Sequence, residues 1–257
     1  MKKYFLLLLL LALCRTMSFG QELKDVNEAV FKAGEELTYK FKYGIFTGAE
    51  GHLKVEDGEA IDGHATYHII ADGNTAGSFD FFYKVRNRYE SIVDQKTLLP
   101  YLYTETRKEG SWKHTDKVKY DQAGNKIIAN KGTFATKGKT FDFVSAYYFA
   151  RGLDISKIKI GDKFELPYFL DDGVYTLSIT YAGKEIVSSA IGKFNCLKFN
   201  PTIIAGRIFK KDSKLYLWIT DDNNRIPVKA NVGLIIGSVT MDLTAAKGLK
   251  YPLNPIK

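Results

Sequence analysis

LYLWITDDNNRIPVKANV, residues 215–232, alternates on either side of an acidic centre. Leu215, Leu217 and Ile219 fall on one face of an extended chain, and Tyr216, Trp218 and Thr220 on the other. Successive strand side chains point to opposite sides, so this is a half-buried strand. Asp221-Asp222-Asn223-Asn224 has the composition of a tight connection, because Asn and Asp hydrogen-bond locally and enter left-handed conformations at low cost. A second alternating run follows from Arg225, so the segment is a hairpin. Pro227 cannot donate to a ladder, and its strand is therefore an edge or carries a bulge there. A calcium loop starting at Asp221 would need Gly at its sixth place and Glu at its twelfth. The chain has Ile226 and Val232 instead, so the cluster reads as a turn.

The same period of two recurs along the chain. In GEELTYKFKY, residues 34–43, Leu37, Tyr39, Phe41 and Tyr43 share one face and Thr38, Lys40 and Lys42 the other. AEGHLKVEDG and ATYHIIADG repeat the theme, and HTDKVKYDQAGNKIIANKG forms a hairpin around Ala123-Gly124-Asn125. Turn residues return every eight to twelve positions through most of the sequence. The chain holds 16 tyrosines and 17 phenylalanines, which suit strands around a thick core. The fold class is mainly β: a single curved antiparallel sheet or half-open β-barrel, with one or two short helices against its concave face.

FDFVSAYYFARG, residues 141–152, breaks the alternation. Asp142 can cap a helix, Arg151 suits the negative end of its dipole, and Gly152 can take a left-handed terminal position. The segment is apolar on all sides, so it is a buried helix lying against the sheet or plugging it.

Residues 1–20 have the layout of a cleaved signal peptide: Lys2 and Lys3, an apolar run with leucines from Leu6 to Leu11, then Ser18-Phe19-Gly20. The run is too short for an ordinary membrane-spanning helix. Cleavage after Gly20 leaves a single β-rich domain over 21–247 and a flexible tail over 248–257, with no transmembrane segment. The chain is thus expected to be exported, to a periplasm or cell envelope. Lipid attachment at Cys14 is the lesser alternative, since Leu13 stands where a small residue would be expected.

The formal charge of +8 falls to +5 without Lys2, Lys3 and Arg15, and basic residues are scattered. No basic cluster with interleaved aromatics points to nucleic acid. Cys196 alone remains after processing and reads as a small buried hydrophobe. His52, His64, His68 and His114 form no metal-binding spacing, and no nucleophile elbow, phosphate loop or zinc-protease motif occurs. A hydrolase built from Ser145, a histidine and Asp142 is conceivable, but no feature of the sequence activates the serine. The expectation is a non-enzymatic protein without cofactor or metal.

The segments FKAGEELTYKFKYGIFTGAEG, VDQKTLLPY, FDFVSAYYFARGL with IGDKFEL, and the closing GRIFKKDSKLYLWITDDNNRIPVKANVGLIIGSVTMDL together resemble an exported bacterial family of unknown function. The closing piece is more distantly similar to the lipoprotein carriers LolA and LolB. That second resemblance implies a half-open barrel whose helices cover an apolar cavity for acyl chains. Tyr39, Phe41, Tyr43, Phe79, Phe82, Tyr147, Tyr148 and Trp218 are the candidate lining residues. The expected partner is a lipid, acyl chain or lipoprotein. The alternative is a scaffold that engages another envelope protein through a strand edge near Pro227.

Overall fold

The computed structural model describes residues 28–202, 214–234 and 237–256. The signal peptide expected over residues 1–20, and Cys14 within it, lie outside that set.

The first eight strands are β1 (Glu36–Tyr43), β2 (Phe46–Ile61), β3 (His64–Thr75), β4 (Val85–Asp94), β5 (Pro100–Glu109), β6 (Trp112–Asp121), β7 (Lys126–Ala129) and β8 (Gly132–Ala135). Six more are β9 (Lys163–Leu170), β10 (Gly173–Ser189), β11 (Gly192–Pro201), β12 (Leu215–Thr220), β13 (Pro227–Gly233) and β14 (Ser238–Lys247). Helix α1 (Ser78–Phe82) lies between β3 and β4, and α2 (Phe143–Arg151) between β8 and β9.

All fourteen strands join one antiparallel sheet. β1 to β8 pair in sequence order, as do β9 to β14, and β1 pairs with β14 to unite the two meanders. The sheet's two edges, β8 and β9, are thus consecutive in the chain. The sheet curls until they approach: the Phe134 and Phe169 rings lie 5.0 Å apart across the seam, and Lys131 reaches Asp172 at 3.6 Å. Phe141 fills part of the gap, its N–H donating to Pro167 O and its carbonyl accepting from Phe169 N–H. This satisfies part of an edge that would otherwise be a template for foreign strands.

Helix α2 is buried against the concave face. Val144, Tyr148 and Phe149 meet Val55, Ile69, Val93, Leu166 and Leu197 in the main core. Asp142 caps it as expected, its carboxylate accepting from Ser145 N–H at 2.8 Å while Ser145 Oγ accepts from Asp142 N–H at 3.0 Å. The other end differs from expectation. Gly152 is right-handed (φ −83°), because the last turn tightens through bonds from Gly152 to Phe149 and from Leu153 to Ala150. This turn carries Leu153 into the core. Among the described residues α2 is the helix on the concave face; α1 sits at one end of the barrel with exposed side chains.

The 215–232 segment is a hairpin. Asp222 Oδ1 accepts from Thr220 Oγ1, Asn224 N and Arg225 N, so Asp222 is occupied in holding the turn, while Asp221 pairs with Lys184 of β10. Of the two readings of Pro227, the bulge holds and the edge does not. β13 lies between β12 and β14, and the register shifts between Trp218 and Ile219, opposite Pro227. Pairing with β14 begins only at Lys229, so proline's missing N–H costs that ladder nothing. The stretch from Gly248, expected to be flexible, is held by the same turn: Asn224 Nδ2 donates to Tyr251 O and Tyr251 N–H returns to Asn224 Oδ1, both at 3.0 Å. Leu249 and Leu253 pack on the sheet, and Ile256 N–H donates to Lys193 O.

Candidate functional site

A cleft runs along α2 inside the curled sheet. It has two lobes, of about 360 and 240 Å3, and Phe143, Tyr147, Leu215 and Leu217 are walls of both. Tyr147 projects between them from the second turn of α2. The larger lobe is completed by Tyr39 and Phe41 of β1, Leu53 of β2, Tyr89 of β4 and Met241 of β14. The smaller is completed by Phe164, Leu177, Ile179 and Phe199.

The room exists because small residues fill inward positions. Gly51, Ala71, Gly73 and Ala230 occupy places where their strands would otherwise point large side chains inward. Gly51 and Gly73 face each other across β2 and β3. A Cβ on Gly51 would stand 2.7 Å from Phe41 Cε2, so glycine lets that ring lie over the strand. A Cβ on Gly73 would meet nothing within 4 Å.

The walls carry almost no accessible polarity. Tyr39 and Tyr147 contribute ring surface while their hydroxyl oxygens are shielded from solvent. Burial pushes the Tyr39 phenol well above its ordinary range. Burial raises the Tyr147 and Tyr148 phenols as well, so all three stay neutral. Behind them lies a buried ion pair. Arg151 donates to both carboxylate oxygens of Glu35, at 2.6 and 2.9 Å, and to Asn224 O at 2.8 Å. The guanidinium lies 5.1 Å from the Tyr148 ring centre and 5.4 Å from that of Phe31. Besides the tyrosines, His52 and Asp72 border the larger lobe and Arg151 borders the smaller, and Asp72 is engaged by Arg88. An apolar cleft of this kind suits apolar surface.

Three of the eight sequence candidates come together here: Tyr39, Phe41 and Tyr147. The other five sit elsewhere. Tyr148 is turned into the core against Phe31, at 4.7 Å between ring centres. Trp218 is on the opposite face of β12, donating Nε1–H to Glu185 at 2.7 Å beneath Lys198. Tyr43, Phe79 and Phe82 lie at the end of the barrel, Phe82 being 82% exposed. Strand phase separates these groups: Trp218 alternates with Leu217, which does line the cleft. Phase would also have found Gly51, in step with Leu53 and Val55, and Gly73, in step with Ile69 and Ala71. Among the described residues, no group of three His, Cys, Asp or Glu side chains is placed to hold a metal ion. No helix among them is long and apolar enough to cross a membrane.

Comparison with known proteins places this geometry. A β-barrel-like protein of the DUF1849 family from Brucella abortus superposes with a TM-score of 0.56 at 10% identity, over 87% of this chain and 99% of that one. A Bacteroides fragilis protein with a YmcC-like fold aligns at a TM-score of 0.33 and 12% identity, over 88% of this chain and 99% of that one. The first likeness is one of fold alone. The search of curated proteins gives no match. These comparisons do not show the likeness to LolA and LolB expected from the closing hairpin. Residues 38–244 match the family described as protein of unknown function DUF3108, and the chain belongs to that family.

Proposed function

We propose that this protein is an exported, non-enzymatic binder of a lipid acyl chain, held in the cleft beside α2. The observation that carries the proposal is the pair of apolar lobes meeting at Phe143, Tyr147, Leu215 and Leu217. The larger lobe alone reaches the roughly 300–1,000 Å3 range of small-molecule sites. Each methylene transferred from water contributes about 0.8 kcal/mol, so even a partly inserted chain gains useful affinity. Neutral phenols and hidden hydroxyls offer little to a polar substrate. Export is supported by the N-terminal sequence pattern.

The test is to purify the protein without detergent, record native mass spectra and extract it with organic solvent. The expected result is a bound lipid whose mass is lost on extraction, with rebinding by the stripped protein of a fluorescent fatty acid. A protein that carries no lipid and does not bind the fluorescent probe would refute the proposal.

A further inference from the structure

The strand ends beyond the larger lobe form a distinctive rim. Phe41 is two residues from the end of β1, Gly73 two from the end of β3, and Leu215 is the first residue of β12. Antiparallel pairing puts all three near one end of the barrel, and all three line the cleft. The opposite end is occupied by the Glu35–Arg151 pair, the 221–226 turn and the Tyr251 segment.

Among the described residues fourteen large apolar side chains are exposed, and eight of them stand on or beside this rim. Ile45 and Phe46 are at the β1–β2 turn, 88% and 62% exposed. Phe81 and Phe82 follow on α1, at 88% and 82%, and Tyr83 just after it, at 55%. Trp112 opens β6. Two contacts tie its parts to neighbouring turns: the Phe79 ring covers Gly48, and Tyr83 packs on Gly110 in the turn before Trp112. These tips project from turns rather than lining a groove, so a rigid protein partner would need matching sockets, whereas a fluid apolar phase would not. Exposed Lys84, Lys108 and Lys113 lie among them, while the Arg107 guanidinium, 4.8 Å from the Trp112 ring centre, is paired with Glu109. Aromatics with interspersed cations match an anionic bilayer surface, where rings enter the headgroup boundary and lysines meet phosphates.

We infer that this aromatic rim docks on an anionic lipid bilayer, bringing the cleft end lined by Phe41, Gly73 and Leu215 to the membrane. The docking surface stands apart from the cleft, though its use in loading rests on the acyl-chain reading above.

The chain has two tryptophans, and a Trp218→Phe variant leaves Trp112 as the reporter. This variant is mixed with vesicles of phosphatidylglycerol and phosphatidylcholine carrying a doxyl-labelled acyl chain. Trp112 emission should shift to the blue and be quenched, less so when phosphatidylglycerol is omitted. Adding Phe81→Ser and Phe82→Ser, both solvent-facing, should preserve the circular dichroism spectrum and weaken vesicle binding at least roughly tenfold. Fatty-acid binding in solution, measured on the same rim variant, should be unchanged. Unaltered Trp112 emission, or equal quenching in the rim variant, would overturn the docking surface. So would a rim that instead drives dimerisation, seen by light scattering. Docking retained in a protein that binds no fatty acid would sink the cleft proposal alone.

Discussion

Arg151 and Glu35, 116 residues apart in sequence, form a doubly hydrogen-bonded ion pair that is 1% and 0% exposed at its side chains. Burial alone would lower the guanidinium's pKa; the Glu35 carboxylate beside it holds it above its ordinary value, so Arg151 stays charged. The pair ties the C-terminal turn of α2 to the residue before β1, and Asn224 O accepts from Arg151 Nε and Nη2. Removing one partner strands a buried charge. Arg151→Met or Glu35→Leu should each cost about 3–5 kcal/mol, measured by urea denaturation. The double variant should lose less than either single change, because two apolar groups can pack where one unpaired charge cannot. A double variant as damaged as both singles summed would show that the two side chains are not coupled.

Asp142 is the cap of α2 and is almost completely buried. Burial raises its pKa, against the opposing hydrogen bonds from Ser145 and Ser91. The folded state therefore holds this proton to higher pH than the unfolded chain does. The associated stability is complete below the unfolded value, about 3.9, and is lost as pH rises through the folded one. Asp142→Asn keeps a side-chain oxygen for Ser145 N–H and should abolish this component of the pH dependence. Asp142→Ala should cost about 0.5–2 kcal/mol at every pH, through loss of the cap. Urea midpoints of the variants relative to the parent, from pH 3 to pH 7, separate the two effects. A parent-to-Asn difference that does not vary with pH would contradict the assignment.

Local rules carried much of the fold into the sequence. Period-two alternation marks the strands, and Asp142 marks the start of α2, because strands and caps are decided by neighbours in the chain. The β1–β14 pairing and the approach of Phe134 to Phe169 depend on the curl of the whole sheet, which no short window encodes. Arg151 is the instructive case. Its position suits a helix C-terminus, but only tertiary structure supplies Glu35, and with it the reason for burial. The cleft was half legible for the same reason. Aromatic residues signal apolar surface, but an open space depends on what is missing, and here the signal lay in glycines at inward strand positions.

Cys196 is fully buried among Val187, Phe194 and Val228 on the outer side of the sheet. Burial first, then Asp222 and Asp221, push its thiol up to about 12. The reactive species is the thiolate, so two barriers act together. In a Cys14→Ser chain, native protein should show no reaction with a thiol reagent at pH 8 over minutes and one equivalent in denaturant. Rapid labelling without denaturant would mean that the Leu253 cover opens readily. The Asn224→Ala variant, which releases Tyr251, should accelerate labelling if the C-terminal segment guards this thiol.

Gly73 offers the sharpest separation of stability from binding. It sits mid-sheet between Gly51 and Asn87, lines the larger lobe, and has open space where a Cβ would go. A glycine in a strand interior costs roughly 0.5–1 kcal/mol relative to alanine, so Gly73→Ala should raise the unfolding midpoint. Gly73→Leu should retain most of that gain while placing an isobutyl group against Tyr89 and Phe143, where a ligand chain would lie. The expected signature is a more stable protein that binds fatty acid at least roughly tenfold more weakly, the trade-off typical of sites kept open for use. Thermal unfolding and fluorescent fatty-acid titration on the same samples measure both quantities. If Gly73→Leu were stabilised and still bound fatty acid normally, the ligand would have to lie elsewhere than in the larger lobe.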